Sequence, residues 1–141
     1  MKHGRKAEAQ KRIGEVLDVI RQTTLSDPVP LMHQAIHLTS PSIRIVSLRR
    51  AAKNVPIPSA LDARQRARTG ISWILKAAEK GRKGGASERT GRIAKEVLAV
   101  LDGSSAALAR KDEVHRLGAV NRCVGQTVIV DYSSIVSFWP C

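Results

Sequence analysis

The stretch Pro41-Ser42-Ile43-Arg44-Ile45-Val46-Ser47-Leu48-Arg49-Arg50-Ala51-Ala52-Lys53-Asn54-Val55-Pro56-Ile57-Pro58 decides the fold, because here the hydrophobic period changes from that of a helix to that of a strand. Ile43, Ile45 and Val46 are β-branched, as are Val55 and Ile57 beyond a short Ala51–Asn54 connection. Residues 43–48 and 55–59 are therefore expected to pair as a β-hairpin. Pro56 and Pro58 have no N–H to give a ladder, which makes the returning strand an edge or an irregular one. Arg44, Arg49, Arg50 and Lys53 gather on the arms and tip. The expected element is a basic, protruding β-arm.

On either side the period is helical. Residues 5–22 carry Ile13, Val16, Leu17 and Ile20 on one i, i+3, i+4, i+7 stripe, with Lys6, Lys11 and Arg12 on or beside the opposite face. Ser26-Asp27-Pro28 starts a second helix with a capping residue and a proline in the first turn. That helix buries Leu31, Ala35 and Leu38 and ends before Pro41. Downstream of the arm, Asp62 opens a long helix to about Lys80, with Ile71, Ile74, Leu75 and Ala78 inward. On it Arg64 and Arg68 project as a pair, while Arg66, Thr69, Trp73, Lys76 and Lys80 make another line. Gly81-Arg82-Lys83-Gly84-Gly85 reads as a flexible basic loop. Ser87 caps a helix carrying Ile93, Val97, Val100 and Leu101, which stops at Asp102-Gly103. A last helix, about Ala107 to Arg122, turns Val114 and Leu117 inward and Arg110, Lys111, Arg116 and Arg122 outward. The expected class is mainly α: a domain of five to six helices with one protruding basic hairpin.

Charge separates the chain into two parts. Residues 1–122 hold all 24 Lys and Arg and 11 of the 12 Asp and Glu, a net +13, whereas the tail from Cys123 to Cys141 has Asp131 as its only charge. A domain this basic repels itself, so its charge implies a polyanionic partner. Of four aromatic residues, Trp73, Tyr132, Phe138 and Trp139, three lie in the last ten positions. That is too few, and in the wrong place, for a platform on which successive single-stranded bases stack. Binding to the backbone and shape of a structured nucleic acid fits better. No run of about 18 apolar residues could span a membrane. Met1 to Arg12 lacks the apolar stretch of a secretory signal, and Cys123 and Cys141 suggest neither a disulfide framework nor a zinc module.

Three constellations resemble catalytic sites and fail on chemistry. His33-Gln34-Ala35-Ile36-His37 has the histidine spacing of a zinc-protease helix, but the position of the general base is Gln34, so two helix histidines is the better account. The glycines at 81, 84 and 85 lie between helices and lack the Gly-Lys-Ser/Thr of a P-loop. Asp112, Glu113 and His115 spread around a helical cylinder as a solvated face would. Trp73 is read as packing rather than as a base-stacking surface. No enzyme, metal or cofactor is expected.

Five segments resemble one family. Pro41 to Arg50, closed by Ile57-Pro58, resembles the hairpin of the small-subunit ribosomal protein seven family. Ser72-Trp73-Ile74-Leu75-Lys76-Ala77-Ala78-Glu79-Lys80 resembles its long-helix motif, and Arg92-Ile93-Ala94-Lys95-Glu96-Val97 its next helix. Lys111-Asp112-Glu113-Val114-His115-Arg116-Leu117 with Asn121-Arg122 resembles its C-terminal helix, and Met1-Lys2-His3-Gly4-Arg5-Lys6 the segment opening its first helix. The resemblance covers residues 1–122, in family order, with a short insertion between 81 and 91. It implies a helical domain with a β-hairpin that binds the ribosomal RNA of the small-subunit head, nucleates head assembly and contacts neighbouring small-subunit proteins. It also implies an arm reaching toward exit-site tRNA and the messenger path. By position, Arg49 falls in the family's basic arm, with Arg44 and Arg50 near it; Arg66, Lys80, Arg110, Lys111, Arg116 and Arg122 fall on basic helix positions. With Lys2, Arg5, Lys6, Lys53, Arg64, Arg68, Lys76, Arg82 and Lys83 these make up the candidate RNA-binding set.

The sequence departs from the family pattern in places. Ala51-Ala52 replaces the usual glycine pair at the tip, so the turn is expected to be rebuilt over Lys53-Asn54, and Val55 stands where an aromatic is usual. The family's basic N-terminal arm is absent, and Cys123–Cys141 resembles nothing in it. A truncated start and a tail from an alternative or mispredicted exon are the expectation. The loop insertion and altered hairpin resemble fungal mitochondrial members, which places the protein in mitochondrial ribosomes, with a bacterial cytoplasm as the alternative. The competing reading is a DNA-architectural protein with a basic β-arm. Such arms carry an apolar wedge at the tip, whereas these prolines flank the second strand.

Overall fold

A computed structural model describes residues 4–50, 53–80 and 86–122. Lys2, Arg82, Lys83, the Ala51-Ala52 pair and the tail from Cys123 lie outside the described residues. The order is α1 (Lys6–Thr24), α2 (Pro28–Thr39), β1 (Ile43–Arg50), β2 (Lys53–Ala60), α3 (Ala63–Glu79), α4 (Ala86–Leu101) and α5 (Ala106–Val120). Among the described residues, five helices and one two-stranded antiparallel sheet make the fold mainly α, as expected.

The helix ends follow from local chemistry. Asp27 caps α2 by accepting from the Val29 N–H, with Pro28 in the first turn. α4 runs from Ala86 to Leu101. Gly103, at φ +82°, ends α4 in a Schellman motif: Ser104 N–H bonds Ala99 O and Gly103 N–H bonds Val100 O. Ser105 then caps α5 at 3.0 Å from the Ala107 N–H, and its own hydroxyl donates to the Glu96 carboxylate. Leu25 ends α1 at φ 52°, a left-handed position where a side chain is strained, with the side chain 91% exposed.

The core lies where α4 packs on α1, α2 and α3. Val16 and Ile20 of α1, Ala35 of α2, Ile74 of α3 and Ala94, Val97 and Val100 of α4 are buried together, with Ala107 of α5. The expected stripes hold at their centres and fail at their edges. Ile13, Leu38, Ile71 and Leu75 are exposed; Ile13, Ile71 and Leu75 line an open apolar depression with Val29 and Met32. On α5 the prediction for Leu117 is wrong: it is exposed, and Gly118 is buried instead. The arm is the reason, since a Cβ at Gly118 would stand 2.1 Å from Ile43 Cδ1 and 3.8 Å from Pro58 Cβ.

The hairpin is longer than its apolar pattern. Arg49 pairs with Asn54 and Arg50 with Lys53, so Lys53-Asn54 belongs to β2 and does not rebuild the turn. Register is set lower down, by Val46 opposite Ile57 and Leu48 opposite Val55, and the polar residues follow in step. Leu61 N–H bonds Ser42 O at 3.0 Å, which fixes the phase of the ladder. With that phase, Pro56 opposite Ser47 and Pro58 opposite Ile45 occupy non-hydrogen-bonded positions, where the missing N–H would have pointed away from β1. The two prolines cost the ladder nothing and blunt the outer edge against further strands.

Candidate nucleic-acid interface

Helix α5 organises the basic residues, because it packs on β1, on α3 and on α2. Its N-terminal end, at Ala106 and Ala107, forms a recess with Trp73, Lys76 and Ala77 of α3 and with Lys80 at the end of that helix, and Arg110 also lines it. Its C-terminal half carries Gly118 against the arm. Eleven residues at 1.5 Å rise separate Ala107 from Gly118, about 17 Å. One rigid element thus connects the cations of α3 to those of the arm.

Two contacts fix the arm's base and the helix. Ser42 N–H donates to His115 Nε2 at 3.2 Å, which makes that nitrogen an acceptor and places the ring proton on Nδ1. Lys111 Nζ donates to Leu38 O at 2.6 Å, in the last turn of α2, where the carbonyl end of a helix favours a cation. Lys111 is half-buried, and its ammonium ties α5 to α2. His115 likewise joins α5 to the arm and is no part of an acid/base cluster. Neither tether is visible in sequence, since each joins residues 73 positions apart.

The other candidate cations divide by position. Arg44 and Arg49 are exposed on β1 and, five residues apart, lie on opposite faces of the hairpin. Arg49 shares the face of Ile43, the face that meets α5. Arg50 and Lys53 are opposite one another nearest the tip. At 100° per residue along α3, Arg66, Trp73 and Lys80 fall within about 40°, on the side facing α5, with Lys76 beside them. Arg66 is half-buried, and its Nε is enclosed without a hydrogen-bond partner among the described residues. Arg64 and Arg68 are exposed on the other flank, beside Ile71 and Leu75. Arg110 is exposed and pairs with Glu113; Arg116 and Arg122 are exposed. Arg5 and Lys6 are exposed at the start of α1, an element that packs chiefly on α2 and α4, and Arg5 lies 3.7 Å from Glu8. The fold therefore joins the arm, one side of α3 and α5, and leaves Arg5, Lys6, Arg64 and Arg68 apart from that surface.

His33 and His37 are exposed, and no group of three or more His, Cys, Asp or Glu able to hold a metal comes together among the described residues. No described helix is long and apolar enough to cross a membrane.

Comparison with known proteins agrees with this geometry. Residues 1–122 match the model of the family described as ribosomal protein S7p/S5e. The chain is 35% identical over 122 residues to the small ribosomal subunit protein uS7m of Schizosaccharomyces pombe, covering 86% of this chain but 46% of that protein. It is 31% identical to protein uS7 of Herpetosiphon aurantiacus, covering 86% of this chain and 76% of the relative. Similarity to protein uS7c of Tetradesmus obliquus, 29% identical, runs over 97% of this chain and 82% of the relative. The chain belongs to the ribosomal protein S7p/S5e family.

Proposed function

We propose that the protein is a structural constituent of the small ribosomal subunit and binds its ribosomal RNA through the surface formed by the arm, α3 and α5. The observation that carries this reading is the placement of α5, which joins the cations around Trp73 to the arm through one stiff element. Phosphates held by a rigid array need little ordering of the protein on binding, and each one neutralised releases counterions. The family's role is structural rather than catalytic.

Within that role the RNA is the head of the small subunit, whose assembly the protein nucleates, and the arm lies toward exit-site tRNA and messenger, beside neighbouring small-subunit proteins. The resemblance of the arm and helices to the family supports this, as does the two-sided placement of Arg44 and Arg49. A mitochondrial ribosome is the compartment favoured by the relative from fission yeast. Co-sedimentation with small subunits, followed by footprinting of the bound RNA, tests the proposal. Protection concentrated in head-domain RNA is expected. Absence from the subunit peak, or tighter binding to duplex DNA than to this RNA at matched salt, would overturn it.

A further inference from the structure

We infer that the recess between α3 and α5 takes a single unstacked nucleotide of the bound RNA, its base against Trp73 and its phosphates among Lys76, Lys80 and Arg110. The inference rests on the RNA-binding reading and goes beyond it by naming what the recess holds.

Trp73 is half-buried against the core and also lines the recess, so its ring is held in place before any ligand arrives. The recess is open and offers about 340 Å³, at the lower end of sites for small organic ligands. Among the described residues its lining is one indole, three cations and three alanines. Arg110 pairs with Glu113, which is not among the described lining residues, and Lys76 and Lys80 line the recess beside it. Lys76 and Lys80 are four apart, on one side of α3, and Arg110 approaches from α5. An aromatic face ringed by cations matches a flat, electron-rich base attached to an anionic backbone. A purely apolar ligand would leave three cations desolvated, and a bare anion would not use the indole. A paired duplex presents no free base face, so the recess selects a bulged, looped or terminal nucleotide.

The test uses the full chain with Trp139→Phe, which makes Trp73 the sole indole, and three probes at one salt concentration. These are a short blunt RNA duplex, the same duplex with one extra unpaired adenosine, and free AMP. Quenching of Trp73 emission by the bulged duplex is expected, together with roughly five- to a hundredfold tighter binding than to the blunt duplex. Adding Trp73→Leu, which keeps an apolar residue against the core, should abolish that preference and leave blunt-duplex affinity unchanged. Equal affinity for both duplexes without Trp73 quenching overturns the recess assignment and leaves the RNA-binding reading standing. Failure to bind either duplex overturns the reading itself. AMP binding as tightly as the bulged duplex overturns the assignment to RNA in favour of a free nucleotide.

Discussion

Replacing Gly70 with alanine should destabilise the protein, although the same change in an exposed helix is stabilising. Gly70 lies in α3 where it crosses the end of α2. A Cβ there would stand 3.0 Å from Thr39 Oγ1, 3.1 Å from Ser40 Oγ and 3.2 Å from Ser40 N. None of these can yield cheaply. Thr39 is fully buried and its hydroxyl donates to Ala35 O at 3.0 Å, so rotating it away would leave a buried hydroxyl unpaired. Ser40 N–H is bonded to Ile36 O at 3.0 Å, which fixes the backbone of the turn. Overpacking of this kind costs about 1–3 kcal/mol, against a gain of about 1 kcal/mol in helix propensity. The net loss is up to about 2 kcal/mol, or a fall in Tm of up to roughly 8 °C for a chain of this size. Gly14 supplies the control: it is exposed on α1, a Cβ meets nothing within 4 Å, and Gly14→Ala should raise Tm by roughly 2–4 °C. Thermal melts followed by far-UV circular dichroism compare the two. A Gly70→Ala protein melting at or above wild type would refute the close crossing of α2 and α3.

Three further outcomes are expected. Lys111→Met should cost about 1–2 kcal/mol in denaturant unfolding through loss of the Leu38 contact, yet leave the salt slope of RNA binding unchanged, because its ammonium is a tether. Leu25→Gly should raise stability by up to about 1 kcal/mol, since it relieves a left-handed backbone and gives up an exposed side chain. Arg49→Ala with Arg50→Ala should weaken RNA binding and flatten its salt slope by up to about two, while the melting temperature stays within error of wild type.

Much of the fold was legible because its signals are local. The β-branched run from Ile43, Pro28 in a first turn and Gly103 at a helix end each act within a few residues. The hairpin's length was not legible, since Arg49, Arg50, Lys53 and Asn54 extend the ladder through pairing alone. The inward face of α5 was misread for a similar reason. Leu117 looks like a core residue, but the contact with Ile43 demands the smallest side chain at 118, and that demand comes from the arm. Of the candidate site, the basic residues were countable from sequence and their grouping was not. Which cations share a surface depends on α5 lying against both α3 and β1, and the bond from Lys111 to Leu38 O of α2 was not legible either. Trp73 read as packing, and it does pack against the core; the recess it also lines needs Ala106, Ala107 and Arg110 from a helix about thirty residues away.

The central claim, that the surface joining the arm, α3 and α5 holds the RNA, is tested most directly by the salt dependence of binding to a small-subunit ribosomal RNA head fragment. Wild type is compared with two triple alanine variants of equal charge change. One removes Arg49, Lys80 and Arg110; the other removes Lys11, Arg21 and Lys95, which are exposed on α1 and α4. The account predicts that the first lowers the slope of log affinity against log salt by roughly two to three, and that the second leaves it near wild type. Equal losses from both triples would contradict the account, since net charge would then explain binding without any such surface.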